Sequence, residues 1–237
     1  MSVKFYRIFA SLLVGIGLLA AVACSQVKNS VETVSAETHG DLVSQKAVAL
    51  PTPQTNKNGE QTAVFAGGCF WGLEAVFEHV KGVSDVVSGY SGGSKETADY
   101  ETVSTGETGH AESVKVTFDP AQVSYEQLLK VFFAVAHDPT ELNRQGPDTG
   151  TQYRSAIFYA GDGQKQLAEK YVAELTKSKA FPRSVVTQIV PLEAFYKAED
   201  YHQDYLDHHP DQPYIVVNDK PKVENLQKKF PDLYVSK

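Results

Sequence analysis

Hydrophobic and polar positions divide the chain into stretches of different character. Residues 1–23 carry Lys4 and Arg7, an apolar run from Ile8 to Leu19, and the small residues Ala21-Val22-Ala23, which is the pattern of an export signal. From residue 24 to 61 the chain is rich in Ser, Thr, Val, Gln and Asn, lacks Phe, Trp and Tyr, and contains Pro51-Thr52-Pro53. Such a segment buries too little apolar surface to offset its ordering entropy, so it reads as a flexible tether. Random-coil scaling gives it a reach of roughly 30–36 Å. Residues 62–216 then show the periodicities of one globular domain, and a polar tail occupies 217–237.

Within the domain, the periods alternate between two and 3.6 residues. Ala63–Ala66 predicts a strand, and Phe70–Val80 a helix with Leu73, Val76, Phe77 and Val80 along one face. Val83–Val87 predicts a strand followed by a glycine-rich loop, Gly89-Tyr90-Ser91-Gly92-Gly93. Ala111–Phe118 alternates as a strand and stops at Asp119-Pro120. Ser124–His137 predicts a helix, opened by a capping box of Ser124 and Gln127 and ended by Asp138-Pro139. A strand at Ser155–Tyr159, a helix at Gln164–Lys177, a strand at Val185–Val190 and a short helix at Ala198–Leu206 complete the pattern. Helices and strands interleave without a regular βαβ repeat, so the expected fold is α+β, a two-layer α/β sandwich with a mixed sheet in a single domain. The tail reads as a packed extension or a short helix.

Charge narrows the function classes. The chain carries 22 basic and 29 acidic residues, and without Lys4 and Arg7 the balance is 20 against 29, a net charge of −9. A surface this acidic disfavours nucleic acid and anionic lipid headgroups. A transmembrane anchor is the alternative for the uncharged stretch Ile8–Val27, but Ser11, Gly15, Gly17, Ser25 and Gln26 dilute it below a convincing span. The ending Ala21-Val22-Ala23-Cys24 is similar to the lipobox of bacterial lipoproteins, with Ala21 where that motif prefers Leu. It implies an exported, periplasmic or cell-envelope protein lipid-anchored at Cys24; ordinary secretion with cleavage before Cys24 is the other reading.

The chain has two cysteines, Cys24 and Cys69, so Cys69 has no partner inside the domain. It sits in Gly68-Cys69-Phe70-Trp71-Gly72, between a strand and a helix start. Free backbone N–H groups and the helix dipole there favour thiolate over thiol. The alternative is a buried, inert cysteine, and the flanking glycines, which let backbone approach a ligand, speak against it.

A second constellation is Gly109-His110-Ala111-Glu112 at the start of the alternating strand. Period two puts Glu112 on the face shared by Val114, Val116 and Phe118, where a carboxyl group is desolvated and keeps its proton near neutrality. Alternatively, Glu112 turns to solvent or pairs with Arg144 or Arg154. Tyr100 and Tyr153 lie in loop or strand-entry contexts, where a phenol serves either as donor to a polar ligand or as packing. Asp148, in Gly146-Pro147-Asp148-Thr149-Gly150, reads as a turn residue. His202, His208 and His209 are flanked by acids but show no metal-ligand spacing on a helix face, so no metal is expected.

Five ordered motifs now carry a resemblance: Gly68-Cys69-Phe70-Trp71-Gly72, Gly109-His110-Ala111-Glu112, His137-Asp138-Pro139, Gly150-Thr151-Gln152-Tyr153-Arg154-Ser155 and Ala198-Glu199-Asp200-Tyr201-His202-Gln203. Across residues 62–209 the chain resembles peptide methionine sulfoxide reductase of the A type. The resemblance implies an α+β sandwich that reduces methionine S-sulfoxide, free or in oxidised proteins and peptides. It implies Cys69 as the nucleophile, Glu112 as the acid for the sulfoxide oxygen, and Tyr100 and Tyr153 as phenols bonded to that oxygen. Asp148 would join the same polar network, and Phe70 and Trp71 would wall the substrate's methyl group. The product on Cys69 is a sulfenic acid.

Many members of that family resolve the sulfenic acid with cysteines in the C-terminal tail, whereas here no cysteine follows Cys69. Regeneration is therefore expected from an external thiol, either a thioredoxin-like or glutaredoxin-like protein or a small thiol, with no bound cofactor and a monomeric enzyme. Two rivals stand beside this reading. A thiol peroxidase would want a cationic residue near the thiol, which the cysteine motif does not supply. A non-catalytic redox-sensing lipoprotein would only capture oxidised proteins.

Overall fold

A computed structural model describes residues 59–237. The signal at 1–23, Cys24 and the tether as far as residue 58 lie outside the described residues. Strand β1 (Gln61–Ala66) leads through Gly67 and Gly68 into helix α1 (Phe70–Glu78), and the chain returns as β2 (Val83–Ser91). A single helical turn α2 (Tyr100–Val103) precedes β3 (Ala111–Phe118) and helix α3 (Tyr125–Val131). The two-residue strands β4 (Arg144–Gln145) and β5 (Asp148–Thr149) form a hairpin ahead of β6 (Ala156–Tyr159) and α4 (Asp162–Lys177). Then follow β7 (Gln188–Pro191), β8 (Tyr196–Lys197), the turn α5 (Tyr205–His208) and α6 (Lys220–Lys229).

Six strands make one mixed sheet in the order β7-β6-β1-β3-β2-β8, antiparallel throughout except between β6 and β7. Period two divides the side chains between its faces. Phe65, Val114, Val116, Phe118 and Ile157 point into the larger core with helix residues Leu73, Phe77, Leu128 and Phe132. Val64, Ala66, Ala111, Ala156 and Phe158 face the other way, under Leu192 and Phe195. The expected two-layer α/β sandwich with a mixed sheet is the observed fold.

The strand expected at Val185–Val190 begins only at Gln188, and three other elements differ from expectation. The expected glycine-rich loop is strand up to Ser91, because Tyr90 is a fully buried side chain paired opposite Glu112. The capping box at Ser124 opens α3 as expected, but the helix widens into a π turn at Phe132–Ala136. There His137 Nδ1 reaches the Phe132 carbonyl at 3.0 Å and His137 turns extended. The short helix expected over Ala198–Leu206 is split into a 3-10 turn, Asp200–His202, and α5. Asp204 between them has a left-handed φ of 51°, and the Gln203 amide bonds back to the Ser88 and Ala198 carbonyls. The tail carries α6, whose Leu226 is buried in the larger core.

Candidate active site

The antiparallel register sets the site. Ala66, at the end of β1, pairs with Ser113 near the start of β3, so the segment leaving β1 runs past Glu112. Gly67 and Gly68 make that exit possible. A Cβ on Gly67 would lie 2.8 Å from the His137 ring, and Gly68 has φ +97° with Gln145 packed against it. These glycines accommodate the protein's own side chains.

Cys69 caps α1 and is 8% exposed. Its thiol is held well above the usual cysteine range by burial, then by the Glu112 and Asp219 carboxyls. The Trp71 N–H and the Lys222 ammonium oppose this and do not prevail. The expected resting thiolate is therefore corrected to a thiol. A helix terminus contributes about 0.3–1 kcal/mol to an anion. Full burial shifts a pKa by as much as 3–5 pH units, each about 1.4 kcal/mol, so desolvation wins.

Glu112 is 2% exposed, and its Oε2 accepts the Phe70 N–H at 3.1 Å. Burial pushes its carboxyl up to about 8; the Phe70 N–H opposes this, the Asp148 charge adds to it, and the Cys69 side chain bonded to it opposes. At neutral pH Glu112 is a carboxylic acid beside a thiol. Neither arginine named as an alternative partner reaches it. Arg154 donates to the carbonyls of Gly109, His110 and Thr151, and Arg144 pairs with Glu141.

Tyr100 opens α2, where its N–H donates to Glu199 Oε1 at 2.9 Å. Tyr153 ends a 3-10 turn tied down by Thr151 donating to the Gly106 carbonyl. Both phenols are pushed upward by burial and then by the charge of Glu112, and Asp148 and Cys69 also act on both. The structure thus brings Cys69, Glu112, Tyr100, Tyr153 and Asp148 to one polar centre. Asp148 belongs to β5 and accepts the Tyr214 hydroxyl at 2.5 Å through Oδ2. A cleft of about 180 Å³ opens onto Cys69 between Asp148, Tyr214 and Lys222.

Phe70 and Trp71 differ in placement. The Phe70 ring is 1% exposed, between Tyr90 and His202 at centroid distances of 5.8 and 4.9 Å. Trp71 is half-buried, stacked on Tyr205 at 3.6 Å with Tyr214 at its edge.

A profile of the family described as peptide methionine sulfoxide reductase matches residues 61–234. The chain belongs to this family. The peptide methionine sulfoxide reductase MsrA 2 of Mesorhizobium japonicum is 60% identical over 76% of this chain and 92% of that protein. Its namesake from Synechocystis is 50% identical over 81% and 92%. Among solved structures, Mxr1 from Saccharomyces cerevisiae in reduced form matches with a TM-score of 0.62 at 33% identity, covering 68% of this chain and 92% of that one. Methionine sulfoxide reductase A of Corynebacterium diphtheriae gives 0.57 at 38%, covering 68% and 84%. As a member of the family the chain is an oxidoreductase that reduces methionine sulfoxide with a thiol.

The structure adds residues to which the sequence assigned no role. Trp71 Nε1 donates to His202 Nδ1 at 3.1 Å; an indole only donates, so His202 carries its proton on Nε2. Burial lowers the His202 pKa and keeps the ring neutral, with Glu199 opposing. Glu199 accepts from the Tyr90 hydroxyl and the Tyr100 N–H. Burial would raise its pKa, but these bonds hold it below the ordinary value. Glu199 and His202 lie in the fifth motif quoted above, which was a signal. Tyr205 and Tyr214 gave none, because their partners lie far away in sequence.

Proposed function

We propose that this reductase acts on methionine S-sulfoxide, free or in oxidised proteins and peptides, with Cys69 as nucleophile and Glu112 as acid. The observation that carries this is a protonated, buried Glu112 held by the Phe70 N–H against the Cys69 thiol. Sulfoxide reduction needs a proton at oxygen as the sulfur is attacked, and a neutral carboxylic acid in a dry site supplies it. Tyr100 and Tyr153, both protonated, donate to the same oxygen, and Asp148 orders the network through Tyr214. Trp71, backed by Tyr205, and Phe70 form the aromatic wall for the substrate methyl. In net terms the oxygen atom passes from the substrate sulfur to Cys69. The substrate is reduced by two electrons, and Cys69 becomes a sulfenic acid.

Two external thiols then return Cys69 to the thiol, giving one disulfide and one water. A thioredoxin-like or glutaredoxin-like protein or a small thiol fits this role, because among the described residues Cys69 has no partner cysteine. Incubated with methionine S-sulfoxide and no thiol, the chain should release about one methionine per molecule and leave Cys69 reactive to a sulfenic-acid trap. No release, or faster turnover of peroxide than of sulfoxide, would sink this reading. The peroxide arm matters because Lys222 lines the Cys69 cleft, so the cation that the sequence motif lacked is supplied from the tail.

The reading also places the enzyme outside the cytoplasm, as a monomer held by lipid on Cys24. It rests on the signal pattern and lipobox of residues 1–24. Cys24→Ser should move the chain from the membrane to the soluble fraction; unchanged fractionation would count against the anchor.

A further inference from the structure

Asp219 is fully buried at the start of α6, although a carboxylate is among the least tolerated groups in an interior. Its Oδ1 pairs with Lys222 Nζ at 3.1 Å, its Oδ2 has no hydrogen-bond partner, and Lys222 itself is only 18% exposed. The pair occupies the space a side chain would need on α1. A Cβ on Gly72 would lie 2.6 Å from Lys222 Nζ and 2.9 Å from the Asp219 carboxyl carbon. Gly72 is in the first turn of the helix that Cys69 caps, and Lys222 and Cys69 line the same cleft. The second glycine of the Gly68–Gly72 motif therefore admits an ammonium group to the neighbourhood of the thiol.

A buried ion pair is weak evidence for stability, because desolvating both charges offsets much of their attraction. This one sits where sulfur changes charge. The titratable groups that face Cys69 are Glu112 from β3, Asp148 from β5, Tyr100 and Tyr153 from their turns, Tyr214 from the end of the domain, and Asp219 from the tail. All of them are neutral or negative; among the described residues Lys222 is the cation that acts on the sulfur, and in the resting site its effect is smaller than that of Asp219.

We propose that Asp219 positions the Lys222 ammonium against Cys69, where Lys222 stabilises negative charge on Sγ each time that sulfur is a thiolate. This rests on the reductase reading above. Sγ carries charge twice in the cycle: once as the attacking nucleophile, and again as a leaving group. In the regeneration step an external thiol attacks the sulfenic sulfur, the S–O bond breaks and water departs with the added proton. A second thiol attacks the external sulfur of the resulting mixed disulfide, the S–S bond breaks, and its electron pair goes to Cys69. Lys222 stabilises that pair until a proton arrives. Asp219 is a positioning residue: its own carboxyl disfavours charge on Sγ, and it serves these steps by holding Lys222 in place.

The test compares the full chain with Lys222→Met and Lys222→Arg, following alkylation of Cys69 against pH by mass spectrometry alongside steady-state turnover. Loss of a nearby opposite charge raises a pKa by about one pH unit or more, so Cys69 in Lys222→Met should be alkylated about tenfold more slowly at a fixed pH below its midpoint. Turnover should fall by a similar factor with the sulfoxide KM unchanged, and Lys222→Arg should bring both back toward wild type. A folded Lys222→Met with the wild-type alkylation profile overturns the proposal, whatever its activity. If that variant does not fold, Lys222→Gln is read on the same scale, and a wild-type profile there overturns it equally. Failure of the wild type to release methionine would instead overturn the reductase reading, leaving the alkylation comparison intact.

Discussion

The two faces of helix α1 bury carboxyl groups to different ends. Beside its start, Glu112 is pushed up to about 8 and accepts a backbone N–H, with two phenols near it and a thiol bonded to it on which a cleft opens. Further along, Glu74 is likewise pushed up to about 8, chiefly by burial and then by the charges of Glu78 and Asp204. The Ser88 hydroxyl and the backbone at Asp204 oppose this and do not prevail. Glu78, raised to about 7 by burial, is clamped by Lys237 at 2.6 Å and shares a hydrogen bond with Asp204. A perturbed carboxyl therefore does not mark a reactive site by itself. The mark is a nucleophile and oriented donors aimed at the same few cubic ångströms.

The largest effect that separates the two clusters is catalytic. Glu112→Gln keeps the shape and the acceptor for the Phe70 N–H but cannot deliver the proton, so turnover should fall roughly 10²–10⁴-fold. In the wild type, turnover should decline as pH rises through about 8, where Glu112 loses its proton. Glu74→Gln should leave turnover at the wild-type level. Comparable losses in the two variants would abolish the contrast.

A smaller effect concerns stability. Glu74 keeps its proton in the fold up to about pH 8 but sheds it near the model-compound value of 4.5 when unfolded. Unfolding therefore releases a proton between these limits, and the stability present below 4.5 is lost as pH rises through that window. Thermal melts of Glu74→Gln should lose less stability between pH 6 and 9 than the wild type, because the amide has no proton to release on unfolding. Parallel pH dependences would show that Glu74 finds a partner in solution.

The same comparison explains what could be read from the sequence. Strand period put Glu112 on the core face of β3 but left open a turn to solvent or a pairing with an arginine, which the folded structure decides. Five ordered motifs supplied the reaction. The protonation state of Cys69 was misread, because a helix start is visible in sequence while the enclosing walls are not. Those walls include Asp219 and Tyr214, whose apposition to the thiol depends on the path of the tail. The Glu74 cluster was equally invisible: Glu74 and Glu78 fall on what looks like the polar face of an amphipathic helix, and the segment around Asp204 covers that face only in the folded chain. The break in the expected helix at Asp204 had the same origin, since Glu199 and Gln203 tie this segment to distant backbone groups, the Tyr100 N–H and the Ser88 carbonyl.

A thiol that is 8% exposed and keeps its proton is also a poor target for stray electrophiles, whose attack scales with thiolate fraction and access. In the unfolded chain the same cysteine titrates near its ordinary value of about 8.5 and lies open to oxidants. The native structure thus works as a protecting group. It shields the sulfur from indiscriminate alkylation and overoxidation, and opens it to a reactant that fits the cleft and brings an oxygen atom within reach of Glu112.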